Sequence, residues 1–110
     1  MPIILEQQYD ISVGSTENIS VNFSPVLDSA EVLSSVVVAE ITTAALTISN
    51  EAVNTATYSE SISCDTVGIG KALQFTVTTS TAGLYQIRLT AVTDSTPART
   101  IVYDMYLRFI

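Results

Sequence analysis

The sequence predicts an all-β fold, an antiparallel β-sandwich of about seven to nine short strands. Three observations predict it. Val, Ile and Thr are abundant throughout, and their branched Cβ atoms fit a pleated surface better than a helix. Apolar residues fall on every second position in Ile19-Ser20-Val21-Asn22-Phe23, in Leu73-Gln74-Phe75-Thr76-Val77 and in Tyr85-Gln86-Ile87-Arg88-Leu89-Thr90-Ala91. That period gives a strand one wet and one packed face, the habit of antiparallel sheets. Turn residues interrupt the runs at short intervals, and the long connections that βαβ crossovers need are missing.

Taken in order, Ile3-Ile4-Leu5-Glu6 reads as a first strand over 3–6, within an N-terminal arm or edge strand of residues 1–9. One sandwich domain is expected over residues 10–110. A strand at 10–13 ends at Gly14-Ser15-Thr16-Glu17-Asn18, and one at 18–24 ends at Ser24-Pro25. Leu27-Asp28-Ser29 breaks the chain again before a strand at 33–41. The segment Ala30 to Ile48 also suits an amphipathic helix, through Ala30, Leu33, Val37, Ala44 and Ala45. Val36-Val37-Val38 and Ile41-Thr42-Thr43 decide for strand, because β-branched side chains lose χ1 freedom in a helix. A strand at 45–49 runs into Ser49-Asn50-Glu51, which reads as a turn. Strands at 55–63, 71–79, 84–93 and 99–109 follow, divided by Gly68-Ile69-Gly70, Thr81-Ala82-Gly83 and Asp94-Ser95-Thr96-Pro97. Phe23, Phe75 and Tyr85 are expected in the core. Tyr9, Tyr58 and one of Tyr103 or Tyr106 are expected at the surface, since the last two lie on opposite faces of one strand.

The chain has 110 residues, 47% hydrophobic and 14% charged, which suits one compact core and excludes a disordered tail. Its single cysteine, Cys64, excludes a disulfide scaffold and is expected to be a buried, inert thiol. Four basic residues against 11 acidic ones leave a net charge of −7, and every charged residue from Met1 to Gly70 is acidic. Such a chain repels phosphate, so no nucleic-acid partner and no anionic membrane partner is expected. The N-terminus has no basic lead-in for a signal peptide, and no stretch approaches the ~20 apolar residues of a spanning helix. Synthesis in the cytoplasm is the expectation.

Catalytic chemistry finds little support. With no His, Ser-His-Asp and Cys-His nucleophile systems are excluded, as are most zinc sites. The carboxylate pairs Glu60 with Asp65 and Asp28 with Glu31 read as solvated loop residues. Gly68-Ile69-Gly70-Lys71 lacks the spacing of a phosphate-binding loop and reads as a turn. The expectation is a non-enzymatic protein with no catalytic, cofactor-binding or metal-binding residues and no cofactor.

Ser80-Thr81-Ala82-Gly83-Leu84-Tyr85-Gln86-Ile87 resembles the start of strand F in immunoglobulin-like (Ig-like) sandwiches. The resemblance implies that Tyr85 is a structural corner, its ring turned into the sandwich and its hydroxyl bonded to upstream backbone. Ile87 stands where antibody-type domains carry their second cysteine, and the chain has no Trp for the usual core indole. A narrower resemblance runs from about Asp10 to Phe109. Val21-Asn22-Phe23-Ser24-Pro25-Val26-Leu27 resembles the V-x-F-S-P-x-L turn of small Ig-like structural proteins of tailed-bacteriophage virions. Ser35-Val36-Val37, Phe75-Thr76-Val77, Thr81 through Thr93 and a closing strand from Arg99 through Arg108 then follow in that family's order. The segment Glu40 to Asp65 departs from the shorter members.

This resemblance implies an Ig-like virion component, either a neck or tail-fibre adaptor or a capsid decoration. Its partners would be capsid, neck or tail and fibre proteins and further copies of itself in a homo-oligomer. Expected assembly contacts are the apolar Ile3, Ile4 and Leu5, the tyrosines Tyr103 and Tyr106, and the terminal Ile110, since apolar ends and edges invite pairing. The alternative from another class is a carbohydrate-binding or adhesive module using Tyr58 and Tyr103, with the absence of Trp counting against it.

Overall fold

The computed structural model describes residues 9–41, 45–59 and 66–110. Its strands are β1 (Tyr9–Ile11), β2 (Thr16–Asn22), β3 (Leu33–Glu40), β4 (Thr47–Val53), β5 (Tyr58–Ser59), β6 (Thr66–Val67), β7 (Ala72–Thr78), β8 (Gly83–Thr93) and β9 (Thr100–Phe109). A four-stranded sheet in the order β1-β9-β8-β3 faces a three-stranded sheet in the order β2-β7-β4, and β5 pairs with β6 as a small separate ribbon. All pairings are antiparallel except β1 with β9, which is parallel. The expected all-β sandwich is therefore present. The order β9-β8-β3 opposite β2-β7-β4 matches the G-F-C and B-E-D strands of constant-type Ig domains.

The alternation read in the sequence places the core. Ile19, Val21, Leu73, Phe75, Val77, Ile87, Leu89 and Ala91 point between the sheets, and Met105, Leu107 and Phe109 meet them from β9. Phe23, just past β2, is fully buried as well. After it Ser24–Val26 forms a single 3-10 turn, with Pro25 supplying the fixed φ and the Asn22 Oδ1 accepting the Ser24 N–H at 2.9 Å. Tyr85 is the corner that the resemblance implied. Its hydroxyl donates to the Thr81 carbonyl at 2.6 Å, and its ring meets Phe109 edge-on with centroids 5.8 Å apart. Ile87 is fully buried in the position of the absent disulfide.

Three local expectations need correction. Ser49-Asn50-Glu51 is not a turn: β4 runs through it to Val53. Between Ser49↔Thr76 and Ala52↔Gln74 two residues of β4 stand against one of β7, and Asn50 takes φ 58° there. Asn tolerates the left-handed region that such a bulge requires, so the same chemistry signals a bulge or a turn. The strand expected at 55–63 is two residues long within the described chain, Tyr58–Ser59, paired with the unforeseen Thr66–Val67. Asp28 and Glu31 do not simply solvate a loop. Glu31 is buried and accepts the Asp28 N–H at 3.1 Å, the Ser95 hydroxyl at 2.8 Å and the Arg99 Nε at 3.0 Å, with a further contact to Arg99 Nη2.

Candidate docking surfaces

The two sheets present opposite characters to solvent. On the four-stranded sheet the strand registers define rows of outward side chains. Val102, Thr90 and Val37 form one row, and Asp104, Arg88 and Ala39 the next. Tyr106 and Gln86 follow, with Ile41 beside them through its N–H to the Gln86 carbonyl. Asp10, Arg108 and Leu84 close the array. Val37, Leu84 and Val102 are each more than half exposed, at 57%, 56% and 56%, and Tyr106 and Ile41 are exposed too.

The charges on this face cancel locally. Arg88 Nε and Nη2 hold the two Asp104 carboxylate oxygens at 2.8 and 3.0 Å, and Gln86 Nε2 adds a third bond to Asp104 at 3.2 Å. These contacts hold the Asp104 carboxyl below its ordinary value and the Arg88 guanidinium above its own. Arg108 grips Asp10 in the same two-pronged way, both bonds at 3.0 Å, which raises the Arg108 guanidinium. Paired guanidinium and carboxylate forks fix side-chain geometry as well as charge.

The three-stranded sheet shows hydroxyls and amides instead. Ser20, Asn18 and Thr16 of β2 stand opposite Gln74, Thr76 and Thr78 of β7. Gln74 Nε2 donates to the Ser20 hydroxyl at 3.1 Å, and the Thr76 hydroxyl donates to Asn18 Oδ1 at 2.8 Å. Every outward residue in these pairs is small or polar, so this face has little to gain by leaving water.

The sheet edges also differ. Edge β1 has three residues and β4 carries the Asn50 bulge, both devices that blunt an edge. Edge β3 has eight residues, with Ser35-Val36-Val37-Val38-Ala39 uncharged and β8 as its strand neighbour. Its irregularity is confined to Ser34, whose hydroxyl bonds the Val92 carbonyl at 3.0 Å.

No family model, curated protein or solved structure matches this chain.

Of the expected contact residues, Tyr106 lies on the outward face and Ile110 is exposed just beyond β9. The Ile110 N–H donates to the Ile11 carbonyl and its carbonyl accepts from the Val13 N–H, which ties the chain end to the start of the domain. Tyr103 faces inward, half-buried against the core, so Tyr106 is the exposed member of that pair. Tyr58 is half-buried as well, so neither tyrosine of the alternative sugar-binding platform stands open. Ile3, Ile4, Leu5 and Cys64, and the pair Glu60 with Asp65, lie outside the described residues. Among the described residues no group of three His, Cys, Asp or Glu side chains converges on a point, and no helix is long and apolar enough to cross a membrane.

Sequence reasoning missed Val37, Val102, Leu84 and Ile41 as surface features. The signal was available: apolar residues occupy the wet phase of otherwise alternating strands, as Val102 and Tyr106 do between Ile101, Tyr103 and Leu107. It also missed the polar cluster around Glu31. Arg99 Nη2 bonds the Val26 carbonyl there, and Lys71 Nζ caps the Asp28 and Ser29 carbonyls at 3.2 and 3.0 Å. The Arg99 contact, with the Asp28 N–H behind it, holds the Glu31 carboxyl far below its ordinary value. This cluster locks the 28–31 turn onto the loop after β8 and has a complete set of partners, so its work is structural.

Proposed function

We propose that this chain is a non-enzymatic structural module of a tailed-phage virion, an Ig-like unit that acts by docking at a neck, tail-fibre adaptor or capsid-decoration position. The single observation that carries the docking reading is the contrast between the two sheets. One outward face combines large apolar side chains with neutralised charge, and the other shows only small or polar side chains along β2 and β7. Exposed apolar groups of this kind on a small domain favour an interface. The phage setting rests on the resemblance of Val21 through Leu27 and Thr81 through Thr93, and the Tyr85 corner supports its Ig-like part. Ile3, Ile4, Leu5 and Ile110 belong to this proposal as further contacts.

Mass spectrometry of gradient-purified particles from the phage that encodes the chain tests it. The expected result is this protein at a fixed ratio to a capsid or tail protein, with a loss of that ratio when residues 1–6 are deleted. Its absence from washed particles overturns the reading.

A further inference from the structure

We propose that the outward face of the four-stranded sheet binds a second copy of this chain, face to face, about a two-fold axis. This rests on the docking reading above and names the partner. Three features point to a copy of the same chain. The first is charge. The chain carries a net −7, so most approaches between two copies bring like charges together. On this face Asp10 and Asp104 are matched by Arg108 and Arg88, and the outward residues of β3, Ser35, Val37 and Ala39, are uncharged. Two copies meeting here keep Glu17 and Glu51, which belong to the other sheet, away from the contact and bring neutral rows together.

The second feature is the alternation of rows. Val102 and Val37 flank Thr90 in one row, an ion pair occupies the next, and Tyr106 and Ile41 flank Gln86 in the row beyond. A two-fold contact presents the same patch on both sides, so it needs a self-complementary surface. Apolar rows separated by internally satisfied ion pairs meet that need, because no fork is left without its partner. The third feature is the exclusion of the other face: a lattice of mutually bonded Ser, Asn, Gln and Thr side chains gains little from a second copy.

The size of the contact fixes its strength class. Three strands about 4.8 Å apart and about eight residues long, with the three-residue β1 beside them, span roughly 400–450 Å². A standard interface buries about 800 Å² per partner, so the pair belongs to the weak, reversible class. Many copies at fixed positions on a particle would make such a weak contact effective through multivalency.

Sedimentation velocity of the full-length chain from micromolar to millimolar concentration tests the proposal, with circular dichroism to verify the fold. The wild-type protein is expected to pass from monomer to dimer over that range. Val102→Asp is expected to weaken the dimer about tenfold or more, since each substitution is felt twice across the axis. Val37→Asp is expected to weaken it likewise. Ser20→Asp on the opposite sheet should leave association unchanged. A wild-type chain that stays monomeric at millimolar concentration overturns the proposal. So does a dimer that ignores both Val102→Asp and Val37→Asp, or one that Ser20→Asp abolishes. A monomeric chain that is nonetheless a stoichiometric particle component overturns the two-fold face and leaves the virion reading standing; a dimeric chain absent from particles does the reverse.

Discussion

Asn54 is buried to 2% exposure in the loop after β4, and its side chain serves three backbone groups. Its Oδ1 accepts the Ala72 N–H at 2.9 Å, while its Nδ2 donates to the Gly68 and Ala56 carbonyls at 2.9 and 3.0 Å. Asn54→Asp preserves the shape and the bond to Ala72. It replaces the two donors with a second carboxylate oxygen aimed at two carbonyls. Leaving a buried polar group without its partner costs about 1–3 kcal/mol, so two carbonyls amount to about 3 kcal/mol at neutral pH. For a domain of this size that lowers the melting temperature by roughly 10–15 °C. The loss has a distinctive pH signature. Carbonyl oxygens and burial raise the introduced carboxyl above its unfolded value of about 3.9. The folded state then binds a proton that the unfolded state releases, so stability falls as pH rises through the folded value. The deficit is full at neutral pH, shrinks as pH falls through the raised value, and is smallest below the unfolded value, where one O–H donor is restored. Urea unfolding of both proteins at a series of pH values reads this directly. A deficit independent of pH, or one below about 1 kcal/mol at neutral pH, refutes the reasoning.

Two further outcomes follow from the same structure. Tyr85→Phe keeps the ring on Phe109 and removes the 2.6 Å bond to the Thr81 carbonyl, so it should cost about 1 kcal/mol in denaturant unfolding; no measurable change would mean that the corner is held by packing alone. Glu31 has a depressed carboxyl because of Arg99 and the Asp28 N–H, so its contribution is present above the unfolded carboxylate value and is lost as pH falls through the folded one. Glu31→Gln should therefore be less stable than wild type at neutral pH, with the gap closing in acid; a gap that stays constant with pH would remove the ion pair as its cause.

The parts of this fold that local pattern determines were readable in the chain. Strands β2, β7 and β8 follow the alternation, because one residue in two must reach the core, and Phe23, Phe75 and Tyr85 lie where that phase puts them. Tyr85 was readable in role as well as in burial. Asn50 was readable only as a residue suited to positive φ, and whether that produces a turn or a bulge depends on β7, which arrives more than twenty positions later. The Glu31 cluster was illegible for the same reason: Arg99 is 68 positions away, and nothing near Glu31 announces it. Of the proposed docking face, Tyr106 was singled out, but the grouping of Val37 with Val102 needs the registers of three strands. A run such as Val36-Val37-Val38 gives no hint of which Val faces water.

The parallel pairing of β1 with β9 has a mechanical consequence. Tyr9, Asp10 and Ile11 lie beside Leu107, Arg108 and Phe109, and the Asp10 to Arg108 fork spans the same seam. Pulling the chain start one way and the chain end the other slides these two strands along each other. Every rung then bears load simultaneously instead of yielding one after another, as a peeled hairpin does. A domain held on both sides of this seam would meet a stretching force first at this short clasp.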